Sequence, residues 1–317
     1  MHTLPAPHDS RLPPDEGRPD DPRAHHALRT RRPRLMVVQV LPTLITLGNV
    51  LSGFLAISYV VDAWGKPMDS AARELLWERS AWVIFLGMLC DTLDGRVARL
   101  TGAASAFGAE LDSLADMITF GVAPALLAKS VAQDTFAHLH PKFATLLAMI
   151  YVLGASLRLA RYNVESNRVS VPGHVTKVFR GLPSPGAAGV VASLVLLRHE
   201  YGIKSQIAMF ADPLVYGLAV GLPILGLLMI SRFAFPHVMN RYFAGAKSPI
   251  AVVLLLLAVV LAVEQPYASL AAIFVGYALS GPVIGACARW FGRPRWAVDE
   301  DEDEEEEGPE GVDEDLA

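Results

Sequence analysis

Apolar residues in this chain come in blocks of membrane-spanning length, and that pattern leaves few folds open. Ile250 to Val263 holds no polar residue at all. Val37 to Val61, Ala81 to Ala98, Gly108 to Ala132, Phe143 to Leu159, Gly181 to Leu197, Pro213 to Ile230 and Ala268 to Ala288 each approach or reach the roughly 20 residues that cross a bilayer as a helix. Backbone amides in hydrocarbon must find partners within their own segment, so such blocks predict helices. The expected fold is therefore an all-α, polytopic membrane bundle of about eight transmembrane helices, the stretch around Pro249 to Glu264 being short for a span. A soluble core is compatible with a composition that is 52% hydrophobic, but it does not account for the blocks.

Two segments fall outside this body. Residues 1–35 are rich in Pro, His, Asp and Arg, and residues 297–317 are dominated by Asp and Glu. Both are expected to be disordered, leaving a membrane domain over residues 36–296. The acidic tail makes the formal net charge of −5 a poor guide to the body, which is basic. No short apolar stretch precedes Val37, so the first span is expected to stay as an anchor rather than leave as a signal peptide. Cys90 and Cys287 lie in different blocks without C-x-x-C spacing, which predicts neither a disulfide framework nor a zinc site. The histidines gather in the head (His2, His8, His25, His26) or scatter through loops, and none has metal-ligand spacing. No nucleic-acid partner is expected.

Eight spans put both termini on one side, and the basic residues then segregate by loop. Arg29 to Arg34, Arg96 and Arg99, the Arg158 to Arg180 stretch, Arg232 to Lys247 and Arg289 to Arg295 share the side of the termini. The sparser set of Lys66, Arg73, Arg79, Lys129, Lys142, Arg198 and Lys204 faces the other way. The imbalance predicts cytoplasmic termini for a multi-pass protein of the cell (inner) membrane.

Within these blocks stand four aspartates: Asp91 and Asp94 in one, Asp112 and Asp116 in the next. A carboxylate at the centre of a membrane helix costs about 2.5–3.5 kcal/mol, so four left unpaired would cost about 10–14 kcal/mol. Something cationic must sit among them. Positions three and four apart share a helix face, which places Asp91, Asp94, Gly95 and Ala98 on one stripe and Gly108, Asp112 and Asp116 on another. Only Leu100 to Phe107 separates the two, short enough to make the helices antiparallel neighbours with facing stripes. Oxygen ligands without His or Cys suit hard divalent cations such as Mg²⁺ or Mn²⁺. Two such ions would balance four carboxylates and can clamp a phosphoryl group undergoing transfer. Gly95, Ala98 and Gly108 leave room for a ligand against the backbone, and Arg99 can neutralise a phosphate. An ion-binding or proton-relay stripe in a cation-dependent transporter is the alternative that spacing alone leaves open.

The full pattern, D-x-x-D-G-x-x-A-R-x(8)-G-x-x-x-D-x-x-x-D from Asp91 to Asp116, resembles the signature of the CDP-alcohol phosphotransferase family. That resemblance implies a six-helix core, here with two further spans, and a likeness to a homodimer. It implies two divalent ions on Asp91, Asp94, Asp112 and Asp116, CDP contacts from Gly95, Ala98, Arg99 and Gly108, and Asp116 as general base. Leu41 to Gly53, Phe107 to Pro124, Arg158 to Val164, Gly181 to Gly186 and Ile230 to His237 further resemble the bacterial integral-membrane phosphatidylserine synthases of the family. These imply CDP-diacylglycerol and L-serine as substrates. Thr43 departs from the asparagine that many members carry after the proline.

An amino-acid acceptor presents a carboxylate, which Arg158 and Arg161 could clamp, with Asn163 nearby. The same arginines could instead serve the positive-inside bias or bind anionic headgroups. Thr46 and Asn49 share a face of the first span, where nucleotide binding and interhelical hydrogen bonding are both open. Glycerol 3-phosphate, inositol phosphate or choline would be alternative acceptors for the same chemistry, the phosphorylated ones using the basic stretch from Arg158 to Arg180. The prolines and glycines of Gly181 to Gly186 predict irregular backbone facing the cavity.

Overall fold

The computed structural model describes residues 36–67, 70–102, 105–135, 141–169, 181–201, 211–233, 235 and 263–291. The disorder expected of residues 1–35 and 297–317, and the apolar stretch over residues 250–262, lie outside the described residues. Every regular element among the described residues is helical. In chain order these are α1 (Met36–Trp64), α2 (Ala71–Thr101), α3 (Ala106–Asp116), a π-helical turn (Met117–Val122), α4 (Ala123–Thr135), α5 (Pro141–Val169), α6 (Ser184–His199), α7 (Ala211–Ile230) and α8 (Pro266–Phe291). The π turn joins α3 to α4 without a break.

Val40–Trp64, Ala106–Gln133, Lys142–Glu165, Pro213–Ile230 and Pro266–Cys287 are long and apolar enough to cross a membrane. The protein is thus a multi-pass helical bundle, but with five such spans among the described residues rather than the expected eight or so. Two of the others are helices that fail for identifiable reasons. α2 has 31 residues but carries Arg73, Glu74, Glu78 and Arg79 towards one end and Asp91, Asp94, Arg96 and Arg99 towards the other. α6 has 16 residues, about 24 Å at 1.5 Å per residue. It is an inner helix whose small residues, among them Ala187, Ala188 and Ala192, are buried against α2, α7 and α8.

Local chemistry sets the ends of the helices that matter most. Ser70 caps α2 by accepting the Arg73 amide at 3.3 Å, and Glu74 in the first turn suits the positive end of the helix dipole. At the far end Gly102 takes the left-handed conformation (φ 61°), and its amide closes on the Ala98 and Arg99 carbonyls. Ser105 then caps α3, accepting the Gly108 amide at 3.0 Å. α2 thus ends at Thr101 and α3 starts at Ala106, so the helices take four of the eight residues from Leu100 to Phe107. The sequence expectation of neighbouring α2 and α3 needs one refinement. α3 packs on α1 rather than directly on α2, so their polar stripes face one another across a gap.

Thr119, in the π turn, sets how closely α1, α2 and this segment approach. A Cβ added at Gly53 would lie 2.4 Å from Thr119 Oγ1, and one added at Gly87 would lie 2.5 Å from Thr119 Cγ2. Only glycine at both positions admits the threonine. Its hydroxyl donates to the Asn49 carbonyl at 2.9 Å. A π turn leaves carbonyls misaligned with the regular ladder; here the buried Tyr151 hydroxyl of α5 donates to the Phe120 carbonyl at 2.9 Å. The opposite end of α2 is held by a polar cluster. Glu74 pairs with Arg198, His199 Nε2 lies 3.1 Å from Glu78, and Trp77 Nε1 donates to Ser130 at 2.9 Å. The guanidiniums of Arg73 and Arg198 each sit 5.5 Å from the Trp77 ring.

Overpacking a closed contact costs about 1–3 kcal/mol. Gly87→Val is therefore expected to lower the thermal unfolding midpoint in detergent, with a stability loss of that size. Gly217→Ala, where an added Cβ meets nothing within 4 Å, is expected to leave the midpoint in place.

Candidate active site

The site assembles where the polar stripes of α2 and α3 meet beside α1 and α5. Asp91 and Asp94 lie one turn apart on α2, Asp112 and Asp116 one turn apart on α3. One carboxylate oxygen from each of Asp91, Asp112 and Asp116 comes within 4.8 Å of the others. Asp94 is the most buried of the four and stands beside this triad, within electrostatic range of Asp91 and Asp112. Thr46 of α1 lies against its carboxylate and also reaches the Pro42 carbonyl at 3.1 Å.

Asn49 ties α1 to α3. Its Nδ2 donates to Asp116 Oδ1 at 3.3 Å, while its backbone carbonyl receives Thr119. Of the two roles that sequence leaves open for Asn49, interhelical hydrogen bonding is the one this geometry displays. Three buried oxygens in the site remain without a hydrogen-bond partner: Asn49 Oδ1, Asp94 Oδ2 and Asp112 Oδ1. Buried acceptors are normally satisfied, and each one left bare costs about 1–3 kcal/mol, more when charged. An all-oxygen donor set with bare lone pairs converging from two helices fits a hard divalent cation.

The other expected residues fall at varying distances from this centre. Gly95 follows Asp91 by one turn, and a Cβ added there would meet nothing within 4 Å, so the backbone is open to an approaching ligand. Ala98 is half-buried beyond it. Arg99 is exposed, its Nε donating to the Gly95 carbonyl at 3.0 Å. Gly108 sits in the first turn of α3, its amide already engaged by Ser105.

On α5 the two arginines part company. Arg158 points inward, into the electrostatic range of Asp116 and Asp91, and its Nη1 donates to Ser184 at 2.6 Å. Arg161 instead pairs with Glu165 at 2.6 Å on the more open face. Asn163 Oδ1 accepts from Ser113, the neighbour of Asp112, at 3.0 Å. Of the stretch Gly181 to Gly186 expected to be irregular, residues 181–183 are outside any helix. The helix resumes at Ser184, which is fully buried against Arg158.

Sequence reasoning missed Thr119, Tyr151 and Ser184. Thr119 sits in an apolar run, Met117 to Val122, that reads as ordinary helix. Tyr151 reads as a core aromatic. The Pro-Ser-Pro sequence announces irregular backbone but does not name the partner of its serine.

The family model for CDP-alcohol phosphatidyltransferase matches residues 39–284, which includes every residue of this site. The chain belongs to that family. Members of the CDP-alcohol phosphatidyltransferase family depend on divalent metal, in keeping with the donor set here. Among similar proteins, a CDP-diacylglycerol–serine O-phosphatidyltransferase of Bacillus subtilis is 35% identical over 200 residues, 62% of this chain and 90% of that one. A protein of the same name from Methanocaldococcus jannaschii is 34% identical over 199 residues, 63% and 75% of the two chains. Another, from Helicobacter pylori strain J99, is 32% identical over 196 residues, 62% and 71%.

With their bare oxygens as metal ligands, Asp94→Asn and Asp112→Asn are expected to weaken Mn²⁺ binding at least about tenfold, the effect of losing about 1.4 kcal/mol. Electron paramagnetic resonance of free Mn²⁺ over detergent-solubilised protein measures this directly. Glu110→Gln, an exposed acid on the same helix as Asp112, is expected to bind Mn²⁺ like the unaltered protein.

Proposed function

We propose that this protein transfers the phosphatidyl group of CDP-diacylglycerol to the hydroxyl of L-serine, giving phosphatidylserine and CMP. One observation carries the reading: a cluster of carboxylates with bare oxygens meets an inward-pointing guanidinium at one end of a helical bundle. The acceptor follows from the names borne by the similar proteins.

Asp91, Asp94, Asp112 and Asp116 would hold two divalent cations, Mg²⁺ or Mn²⁺, which when bound grip the pyrophosphate and offset charge on the departing CMP. Gly95 and Ala98 give the nucleotide a flat approach to the α2 backbone. Arg99 and Gly108 lie at the mouth of the same gap, where Arg99 can swing from its own helix onto a phosphate. Thr46 and Asn49 close the wall on the α1 side. Asn49 fixes one oxygen of Asp116 by its 3.3 Å hydrogen bond and so orients the carboxylate. Asp116 takes the proton of the serine hydroxyl as that oxygen attacks the lipid-bearing phosphorus. The bond from this phosphorus to the CMP oxygen breaks, and CMP leaves.

Arg158 supplies the charge that an amino-acid carboxylate needs, and Ser184 holds the guanidinium by one nitrogen. Arg161 and Asn163 frame the entrance on α5. The enzyme works as a homodimer in the cell (inner) membrane, with termini and site on the cytoplasmic side. Its membrane domain covers residues 36–296, eight spans with a six-helix core, between flanking segments 1–35 and 297–317. CDP-diacylglycerol enters from the inner leaflet while serine arrives from the cytoplasm.

General acid–base catalysis contributes about 10²–10⁴-fold. Asp116→Asn is expected to cut kcat by at least about a hundredfold, measured as release of CMP by membranes given CDP-diacylglycerol, Mn²⁺ and labelled serine. Chelation of divalent metal should stop release altogether. Incorporation of glycerol 3-phosphate or inositol 1-phosphate in place of serine would overturn the acceptor assignment, and full turnover in the chelated enzyme would overturn the chemistry.

A further inference from the structure

Arg158 does not face the carboxylates alone. Besides Asp116 and Asp91, the phenols of Tyr162 and Tyr277 lie within its electrostatic range. Tyr277 belongs to α8, a helix to which the sequence assigns no motif. Its ring is seated with some care. A Cβ added at Gly186 would lie 3.1 Å from Tyr277 Cε1, so the aromatic edge rests directly on the first turn of α6. That is the turn whose Ser184 accepts from Arg158 at 2.6 Å. On its other side the ring stands 5.8 Å from that of the buried Phe235. Phe235 in turn fills the space over Gly281, where an added Cβ would lie 2.4 Å from Phe235 Cζ. α8 is thereby keyed to the segment that follows α7, and the height of Tyr277 along the bundle is fixed.

Among the described residues the Tyr277 hydroxyl has no hydrogen-bond partner, whereas the hydroxyl of a partly buried tyrosine usually finds one. A guanidinium with one nitrogen committed to Ser184 and a phenol within its electrostatic range can offer two donors to one anion. Such a pair suits a small carboxylate better than a neutral alcohol.

We propose that Tyr277 is a specificity-determining residue, its phenolic hydroxyl donating to the carboxylate of the acceptor that Arg158 holds. The inference rests on the reading of serine as acceptor, and it assigns α8 a part in choosing that acceptor. Discrimination against substrates lacking a group to which a site hydrogen-bonds is the expected consequence of leaving that donor unpaired.

The test uses full-length enzyme in mixed micelles with CDP-diacylglycerol and Mn²⁺, reading CMP release with serine and with serine amide as acceptors. Tyr277→Phe keeps the ring and removes the donor. It is expected to raise KM for serine about tenfold while KM for CDP-diacylglycerol stays within about a factor of two, and to narrow the preference for serine over serine amide about tenfold. Gly186→Ala, which crowds the ring without removing the hydroxyl, is expected to shift serine KM in the same direction. An unchanged serine KM in Tyr277→Phe, or an equal change for both substrates with the serine to serine amide preference intact, would overturn the role of Tyr277 alone. Unaltered enzyme that releases no CMP with serine would overturn the acceptor reading, and this inference with it.

Discussion

Bare carboxylate oxygens gathered in a helical interior are the constraint on which the rest of this structure turns. Removing one carboxylate from water costs several kcal/mol even after relaxation, and like charges brought within a few ångström add to the cost. Asp91, Asp112 and Asp116 are nevertheless held with oxygens within 4.8 Å of one another, and Asp94 is buried beside them. Arg158 contributes a single positive charge, which cannot balance four negative ones. A site built this way is poised for a multiply charged cation and for whatever anion that cation brings.

The surrounding scaffold is arranged to keep the cluster apart as much as together. α2 is capped by Gly102 and α3 by Ser105, three residues on, yet both helices lean on α1 rather than on each other. α1 holds this central place through one glycine and one asparagine. Gly53 admits Thr119 of the π turn, Thr119 bonds the Asn49 carbonyl, and the Asn49 side chain reaches back to Asp116. The π turn starts directly after Asp116, so the change of helical pitch falls beside the last carboxylate. Tyr151 holds its Phe120 carbonyl from the opposite helix. Position of the cluster is thus set by contacts among three separate stretches of chain.

That division explains what the sequence made legible. Helical spacing alone placed Asp91 with Asp94 and Asp112 with Asp116 on shared faces, because a period of 3.6 residues is local information. The short gap after Arg99 brought those faces together, and the irregular backbone expected over Gly181 to Gly186 is found over residues 181–183. What stayed hidden depends on partners far along the chain. Nothing in Thr119 or Ser184 taken singly distinguishes it from a helix-facing hydroxyl, and nothing near Arg158 distinguishes it from Arg161. Only the approach of Ser184, at the start of α6, holds one arginine inward, while the other pairs with Glu165 on its own helix. That only five blocks qualify as spans among the described residues has a related reason. Hydropathy treats each block as though it met lipid on every side, while α6 is short because it is wrapped by other helices and α2 is charged at both ends because each end has a task.

Those two ends of α2 deserve comparison, since they show how one helix can be rigid and receptive at once. From Arg73 to Asp91 is about 27 Å along the axis. At the first end the carboxylates have cationic partners, Glu74 with Arg198 and Glu78 with His199, and both flanking guanidiniums lie over the face of Trp77, although Arg198 Nε and His199 Nδ1 are themselves left without a hydrogen bond. Trp77 is itself pinned by Ser130 of α4. A buried pair of this kind resists disruption because removing either member strands the other. At the second end Asp94 and Asp112 are left with oxygens unanswered, and Gly95 opens on empty space. The contrast lies in the acids: Glu74 and Glu78 each face a cation of the protein, whereas Asp94 and Asp112 keep a bare oxygen. The same helix gives its glutamates cationic partners at one end and leaves an aspartate oxygen bare at the other, where a cation can supply the partner.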